Sequence, residues 1–427
     1  MKEEIKQEIK QRIIMINRGQ VPHAYKQTGK GLLYSKWKYY KLRDLSTKGI
    51  SNGIFNDPNK VGRGVKLINV IDLYNEPSIN VEALSLLEVT EKELSDYKVK
   101  KYDILFTRSS LKLEGIAHCN MLTEEVDRIV YDCHIMKMTP NVDIVNPFYL
   151  KAYLKGPVAR KHIMARAKTT TMTTIGQKDI ESVPIAVPPL YEQQKIAEIL
   201  NKWDELIATQ RKLINILEFK RQGLIQRLLK PKNNWKETKI GYIVKEISFK
   251  NNDNCNNVMS VSNKYGFIKQ EEQFSKQVAS KDLRKYKIVS NGDIAYNPSR
   301  INVGSIAVYQ YDEIGIVSPM YVVFRCTKVS PHLLLLILST SRGKYNIESY
   351  LSGSVRNSLS FSDLAEIKIR IPNDSEQKSI IKIFNSIDNL ILLHNEKLLK
   401  LKEQQKALMQ LLLTGIVRVI KDKSNNC

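Results

Sequence analysis

The chain has 427 residues, 42% hydrophobic and 26% charged, which suits two to four folded domains at roughly 100–200 residues each and excludes a disordered chain. Lys and Arg number 67 against 44 Asp and Glu, and the net charge of +23 favours a polyanionic partner, either nucleic acid or an acidic membrane surface. The longest apolar run, Leu333 to Leu338, is far short of the ~18 residues of a membrane span. Met1 to Lys10 has no apolar signal-peptide core, and the scattered Cys119, Cys133, Cys255, Cys326 and Cys427 fit a reducing compartment. A soluble, basic, cytoplasmic protein of several domains is expected.

Residues 1–36 read as an N-terminal helical segment, and 37–186 as a mixed α/β body. In that body VKLINVIDLY (from Val65) and YDILFTR (from Tyr102) look like strands. A helix should start at Pro147, with Asn146 as its cap. Within 187–232, apolar residues fall at Ile196, Leu200, Trp203, Ile207, Ile214, Leu217, Leu224 and Leu228. Their steps alternate four and three if Gln210 and Arg221 are admitted as polar members, which is the heptad spacing of a coiled coil. Residues 233–370 form a second body with strands in GDIAYNP (from Gly292), GSIAVYQY (from Gly304) and MYVVFRC (from Met320), and a helix after Pro331. Within 371–420 the seam returns at Ile380, Phe384, Ile387, Ile391, Leu398, Leu401, Leu408 and Leu412, broken at His394 and Gln405. Residues 421–427 are a tail. About 40 residues per helix at ~1.5 Å each makes each roughly 60 Å long.

The chain repeats itself. DIESVPIAVPPLYEQQKIAEIL (from Asp179) returns as DLAEIKIRIPNDSEQKSIIKIF (from Asp363), an offset of 184 that holds without a gap for some fifty residues. Asp204 matches Asp388, and the polar breaks Gln210 and Arg221 match His394 and Gln405. Upstream, LSDYKVKKYDILFTRSS (from Leu94) echoes LRKYKIVSNGDIAYNPSR (from Leu283), and Trp37 echoes Trp235. Two matched seams, neither able to bury itself alone, predict a helix pair between two α/β bodies. The intervening body can return the chain either way, and an antiparallel pair is expected.

Catalytic readings are weak. Asn146-Pro147-Phe148-Tyr149 resembles an amino-methyltransferase loop but lacks its second proline and any preceding cofactor-binding turn. Asp363, Glu366 and Lys368 resemble half a nuclease site, yet the aligned first copy has Ser182 and Pro184 in place of Glu366 and Lys368. His118-Cys119 and Cys133-His134 lack the spacing of zinc ligands, so no metal is expected. Nucleotide-binding and zincin motifs are absent. The basic stretches say more. Lys151, Lys155, Arg160, Lys161, Arg166, Lys168 and Lys178 fall between Asp143 and Asp179 with no acid among them, and the stretch contains TTTMTT (from Thr169). A similar acid-free stretch with Arg325, Lys328, Arg342 and Lys344 leads to GSVRNS (from Gly353). Cations neutralise phosphate, while hydroxyls and amides read base edges.

The sequence resembles the specificity subunit of type I restriction–modification enzymes, over nearly the whole chain. The residues that carry the resemblance are VPPLYEQQKIAEILNKWDELI (from Val187), its echo IPNDSEQKSIIKIFNSIDNLI (from Ile371), YDILFTRSS with its echo GDIAYNPSR, and QLLLTGIVRV (from Gln410). Two departures are Asn373-Asp374-Ser375 where the first copy has Pro189-Leu190-Tyr191, and Tyr102 where the second copy has Gly292. The fold implied is α/β: two pseudo-repeated α/β target-recognition domains joined by two long antiparallel coiled-coil helices. The function implied is non-catalytic. Each domain reads half of a bipartite double-stranded DNA target, the helices set the spacer, and their flanks dock two methyltransferase subunits. S-adenosylmethionine, ATP and Mg²⁺ belong to the methyltransferase and motor-nuclease partners, with no cofactor in this chain and no membrane. Candidate DNA contacts are Arg108, Ser109, Ser110, Lys112, Arg166, Lys168, Thr169, Thr170 and Thr171 in the first body. In the second they are Asn297, Ser299, Arg300, Asn302, Arg356 and Asn357. The alternative is a basic coiled-coil scaffold that binds RNA or acidic membranes without sequence preference.

If the helices act as a ruler, one heptad added to both preserves the seam and lengthens each by about 10 Å. The half-sites should then separate by about three base pairs at ~3.4 Å each with their sequences unchanged. Methylation-site mapping of the insertion variant beside the parent checks this, and an unchanged spacer in a stable, active variant rejects the ruler.

Overall fold

The computed structural model describes residues 2–28, 31–252, 255–263, 266–270, 282–352 and 358–419. The chain divides into two units, Met1–Lys212 with Asn395–Cys427, and Leu213–His394.

The first unit opens with a helix, Lys2–Asn17. It stops where Gly19 takes a left-handed φ of 73°, its N–H bonded to Ile16 O and that of Gln20 to Met15 O. The helical segment expected over 1–36 therefore ends early. Beyond Pro22, strands Tyr25–Thr28 and Gly31–Tyr34 pair as a hairpin with Tyr25 opposite Tyr34. This hairpin leans on the far end of the chain: Tyr25 OH donates to Gly415 O at 2.7 Å and Tyr34 N to Thr414 O at 3.2 Å.

The body of this unit holds a four-stranded antiparallel sheet in the order Ser46–Asn52, Ile135–Pro140, Ile104–Thr107, Cys119–Met121. A three-stranded sheet has the order Ile129–Tyr131, Val61–Ile68, Ser85–Leu87. The strand expected from Val65 to Tyr74 stops at Ile68. There Asn69 N–H donates to the Asp72 carboxylate at 2.8 Å and turns Val70–Tyr74 into a 3-10 helix. Helices Pro147–Lys155 and Pro157–Met164 pack on the core, where Leu42, Phe106, Tyr149 and Ile185 meet Ile196, Leu200, Leu412 and Leu413 from the long helices.

The second unit repeats the plan. Its four-stranded sheet runs Val244–Ile247, Val322–Cys326, Asp293–Tyr296, Ile306–Val308, the same order with equivalent strands. The offset of 184 also relates helix Pro147–Lys155 to Pro331–Ser339, upstream of the point where the sequence match begins. The missing glycine is resolved by geometry: Tyr102 adopts φ 71° where Gly292 adopts 88°. Each precedes a buried aspartate that closes the turn, Asp103 accepting from Lys100 N at 2.8 Å and Asp293 from Ser290 N at 2.9 Å. A side chain there is strained, and the Tyr102 ring packs edge-on against Phe148 at 5.7 Å.

The long helices are Leu190–Leu228, called central, and Asp374–Leu413, called terminal. In the first unit Gln405 donates to Asp204 at 2.6 Å. In the second, Arg221 grips Asp388 through Nε at 2.5 Å and Nη2 at 3.1 Å. Residue numbers rise on one helix as they fall on the other, so the pair is antiparallel. Asp204 and Asp388 are equivalent under the repeat, as are Arg221 and Gln405, so one contact is made twice. Of the sixteen seam residues, nine are buried (Ile196, Leu200, Ile207, Ile214, Leu217, Ile380, Phe384, Leu401, Leu412). Trp203, Leu224, Leu228, Ile387, Ile391, Leu398 and Leu408 are half-buried.

A glutamate in the first turn of each helix is clamped by the segment that follows the other. Glu192, whose side chain is 4% exposed, accepts from Arg418 Nε at 2.6 Å and Nη2 at 2.7 Å. Glu376 accepts from Trp235 Nε1 at 3.0 Å and pairs with Lys232. In the first unit the Arg418 guanidinium instead covers the rings of Tyr34, at 4.0 Å, and Trp37, at 5.5 Å. The Trp37 indole N–H has no acceptor among the described residues. Removing Arg418 strands a buried carboxylate. We expect Arg418→Ala to cost about 3–5 kcal/mol in denaturant unfolding of the first unit, and Glu192→Gln with Arg418→Ala to cost less than Arg418→Ala alone.

Candidate nucleic-acid interface

In the first unit the central strand Ile104–Thr107 delivers the chain to Arg108 at the edge of the body. Ser109–Ser110 then pairs with Thr173–Thr174, and Thr173–Thr174 pairs with Lys168–Thr169. This small three-stranded sheet gathers Arg108, Ser109, Ser110 and Lys112 with Arg166, Lys168, Thr169, Thr170 and Thr171. Ser109 and Ser110 are half-buried, and the other seven are exposed. The Thr169 and Thr173 hydroxyls are 3.2 Å apart, Ile175 N donates to Arg108 O at 3.2 Å, and Arg166 donates to His162 Nδ1 at 3.2 Å. Guanidinium, ammonium and hydroxyl groups on one edge suit phosphate and base-edge contact.

Three cations of the acid-free stretch do not reach this surface, contrary to the reading of the whole stretch as a partner-facing run. Lys151 is 2% exposed, donates to Pro77 O at 3.0 Å and lies 3.8 Å from the Asp204 carboxylate. Burial pushes its pKa down. Lys155 pairs with Glu76 at 3.0 Å; burial opposes its charge, but the carboxylate prevails and the pKa rises. Arg160 donates to Ile116 O at 2.6 Å and Glu114 O at 2.9 Å, which shapes the loop behind Ser110. Beside that loop His118 stacks on Tyr74, with ring centroids 4.4 Å apart. Burial lowers the imidazole pKa to about 4. The neutral ring places Nε2 3.1 Å from Leu73 O, an acceptor, so Nε2 carries the proton.

In the second unit, strand Asp293–Tyr296 opens into the matching loop. Asn297 is buried: its side-chain oxygen accepts from Ser299 N at 3.1 Å, and its backbone N–H donates to Ser305 O at 3.0 Å. Asn297 therefore shapes the loop, and Ser299, Arg300 and Asn302 stand exposed on it. Leu359 N donates to Pro298 O at 3.0 Å, the counterpart of the Ile175 bond to Arg108. Arg356 and Asn357 lie outside the described residues.

The other motifs have structural roles. Asn146 Oδ1 accepts from Phe148 N and Tyr149 N and caps its helix. Asp363 closes a capping box with Ser360, and Glu366 pairs with Lys239 at 2.6 Å. Asp132, Cys133 and His134 bring three donor atoms within 4.8 Å of one another, where the His134 ring and the Asp132 carboxylate, 2.9 Å apart, close the turn.

The model of the type I restriction modification DNA specificity domain matches this chain twice, over residues 34–218 and 226–403. The chain belongs to that family. It is a non-catalytic DNA specificity subunit with two target-recognition domains. It is 25% identical over 418 residues to a Methanocaldococcus jannaschii protein described as the MjaX specificity subunit, covering 92% of this chain and 97% of that one. The Escherichia coli EcoKI specificity subunit is 27% identical over 189 residues, 42% of this chain and 40% of its own length. The fold is similar to the S subunit of M. genitalium, with a TM-score of 0.52 at 13% identity over 88% of this chain and 96% of that chain. No described helix of the specificity subunit is long and apolar enough to cross a membrane.

In the sequence Thr173 and Thr174 stood out only within the TTTMTT run and were not placed in the site, and Leu111 was passed over. Only the strand pairing joins them, because Ser109–Ser110 is distant in sequence from the hairpin Lys168–Thr174. Lys168→Ala should weaken DNA binding on all sequences alike and lower the salt slope by about 1, with unfolding unchanged. Arg160→Ala should instead cost about 1–3 kcal/mol of stability, because the loop carbonyls lose their donor. Titration at several salt concentrations beside denaturant melts separates the two.

Proposed function

We propose that each unit reads one half of a bipartite double-stranded DNA target, and that the long helices hold the two halves at a set spacing. The observation that carries this reading is the recurrence, after equivalent strands of equivalent sheets, of an exposed cationic and hydroxyl-bearing loop. Arg108 to Lys112 supplies it in the first unit and Ser299 to Asn302 in the second. The loop sequences differ although the frames agree, as expected of two readers with different targets.

The helices also leave apolar side chains uncovered. Leu206 in the first unit, and Ile216 and Phe219 in the second, are 43%, 51% and 81% exposed. These support docking of two methyltransferase subunits, which would bring S-adenosylmethionine, and through them of motor-nuclease subunits with ATP and Mg²⁺. One of the solved structures similar to this chain comes from work on assembly and conformational transition of the type I R-M system. A cytoplasmic location follows from that reading.

Exchanging residues from about Leu42 to Thr174 for those of a relative should change one half of the methylated target and leave the other intact. Within the second half, Arg300→Ala should cost about 1–3 kcal/mol on the specific site and less on other sequences. Mapping of methylated bases, with binding assays against competitor DNA, checks both. Binding with no sequence preference would favour a general polyanion scaffold instead.

A further inference from the structure

We propose that Leu111 and Met172 form an apolar contact for the 5-methyl group of a thymine in the half-site read by the first unit. The inference rests on the reading of that unit as a DNA-recognition domain and adds what one part of it recognises.

The argument starts from register. Ser110 pairs with Thr173 and Ser109 with Thr174. Leu111 and Met172 each lie one residue beyond the last paired position, where the same register, if continued, would set them opposite one another. Both are exposed, Leu111 by 85% and Met172 by 40%. Cations and hydroxyls flank them, Arg108 and Lys112 on one strand and its loop, Lys168 and the Thr169–Thr171 hydroxyls on the other, while Leu113, 38% exposed, and the exposed Glu114 follow in the loop. Water-facing apolar side chains opposite one another are unfavourable in the free protein. Their cationic and hydroxyl surroundings argue against a protein partner's apolar groove and for a polyanion carrying an apolar spot.

Duplex DNA has such a spot. In the major groove, which admits a two-stranded β-ribbon, thymine alone among the four bases presents a methyl group. The hairpin that joins Lys168–Thr169 to Thr173–Thr174 is a ribbon of that kind, with Met172 in its turn. Leu supplies a branched surface, and Met a flexible, polarizable one, able to close around a methyl group. The matching loop of the second unit differs here: Ile301, at the position of Leu111, is buried, so the proposed contact is particular to the first unit.

The test uses the full chain with its methyltransferase on duplexes that carry the mapped target. Each thymine of the first half-site, on either strand, is replaced singly by deoxyuridine, which removes the methyl group alone. The parent should lose about fourfold in affinity at one position, the factor set by burying one methyl group. Leu111→Ala with Met172→Ala should bind thymine and deoxyuridine equally there, with an unchanged melting temperature because both side chains are exposed. A parent indifferent to every deoxyuridine, or a double variant that still discriminates, overturns the proposal. So does a double variant that assembles poorly with the methyltransferase in the absence of DNA, which would make the pair a protein contact. A parent that binds the mapped duplex no better than random DNA would overturn the underlying DNA-reading assignment itself.

Discussion

The architecture depends on one polar contact made twice in an apolar seam. A row of Ile and Leu holds two helices together without specifying which way they run, because heptads are nearly self-similar under a slide of seven residues or a reversal. Asp388 and Arg221, with their counterparts Asp204 and Gln405, remove that freedom. A slide of one heptad would set Asp388 against Ile214 or Leu228, and Asp204 against Leu398 or Leu412. The pairs are partly exposed, so their worth lies in excluding alternatives more than in raw stability. The terminal glutamates add a second lock, since among the described residues Glu192 and Glu376 accept from segments that the antiparallel arrangement brings to them.

Much of this frame was legible in the sequence. The seam positions were visible because a heptad repeat is a local pattern, and the pairing because each seam has one counterpart; the direction was a choice, since the intervening body can return the chain either way. The rest was hidden for reasons of physics. Helices at Pro147 and Pro331 were both expected, but not that Pro147–Lys155 and Pro331–Ser339 are equivalent at the offset of 184, because they share few residues and a helix tolerates many apolar faces of the same shape. The N-terminal hairpin was missed because it is fixed by contacts with Thr414 and Gly415, nearly the whole chain away. At Tyr102 the sequence showed only a departure, because a tyrosine stands in a conformation that glycine takes in the second copy, its ring packed against Phe148.

The candidate interface was legible by segment and not by residue. The loop after YDILFTR and the threonine run were both recognisable, but their union in one sheet is a non-local pairing that no periodicity reveals. Charge misled at three positions. Lys151, Lys155 and Arg160 carry the same formal charge as Lys168, yet their partners are Pro77 O, Glu76 and the loop carbonyls. Net charge describes how a molecule approaches a polyanion; burial decides which cations touch it.

The meeting of Tyr25 and Tyr34 with Thr414 and Gly415 has a consequence for how the molecule is made. The second unit, Leu213–His394, is one uninterrupted stretch, whereas the first is assembled from both ends of the chain. During translation its α/β body emerges early, with Leu42, Phe106 and Tyr149 awaiting Leu412 and Leu413. The unit synthesised first is therefore completed last, when the final turn of the terminal helix leaves the ribosome. Until then its exposed core must be tolerated or shielded.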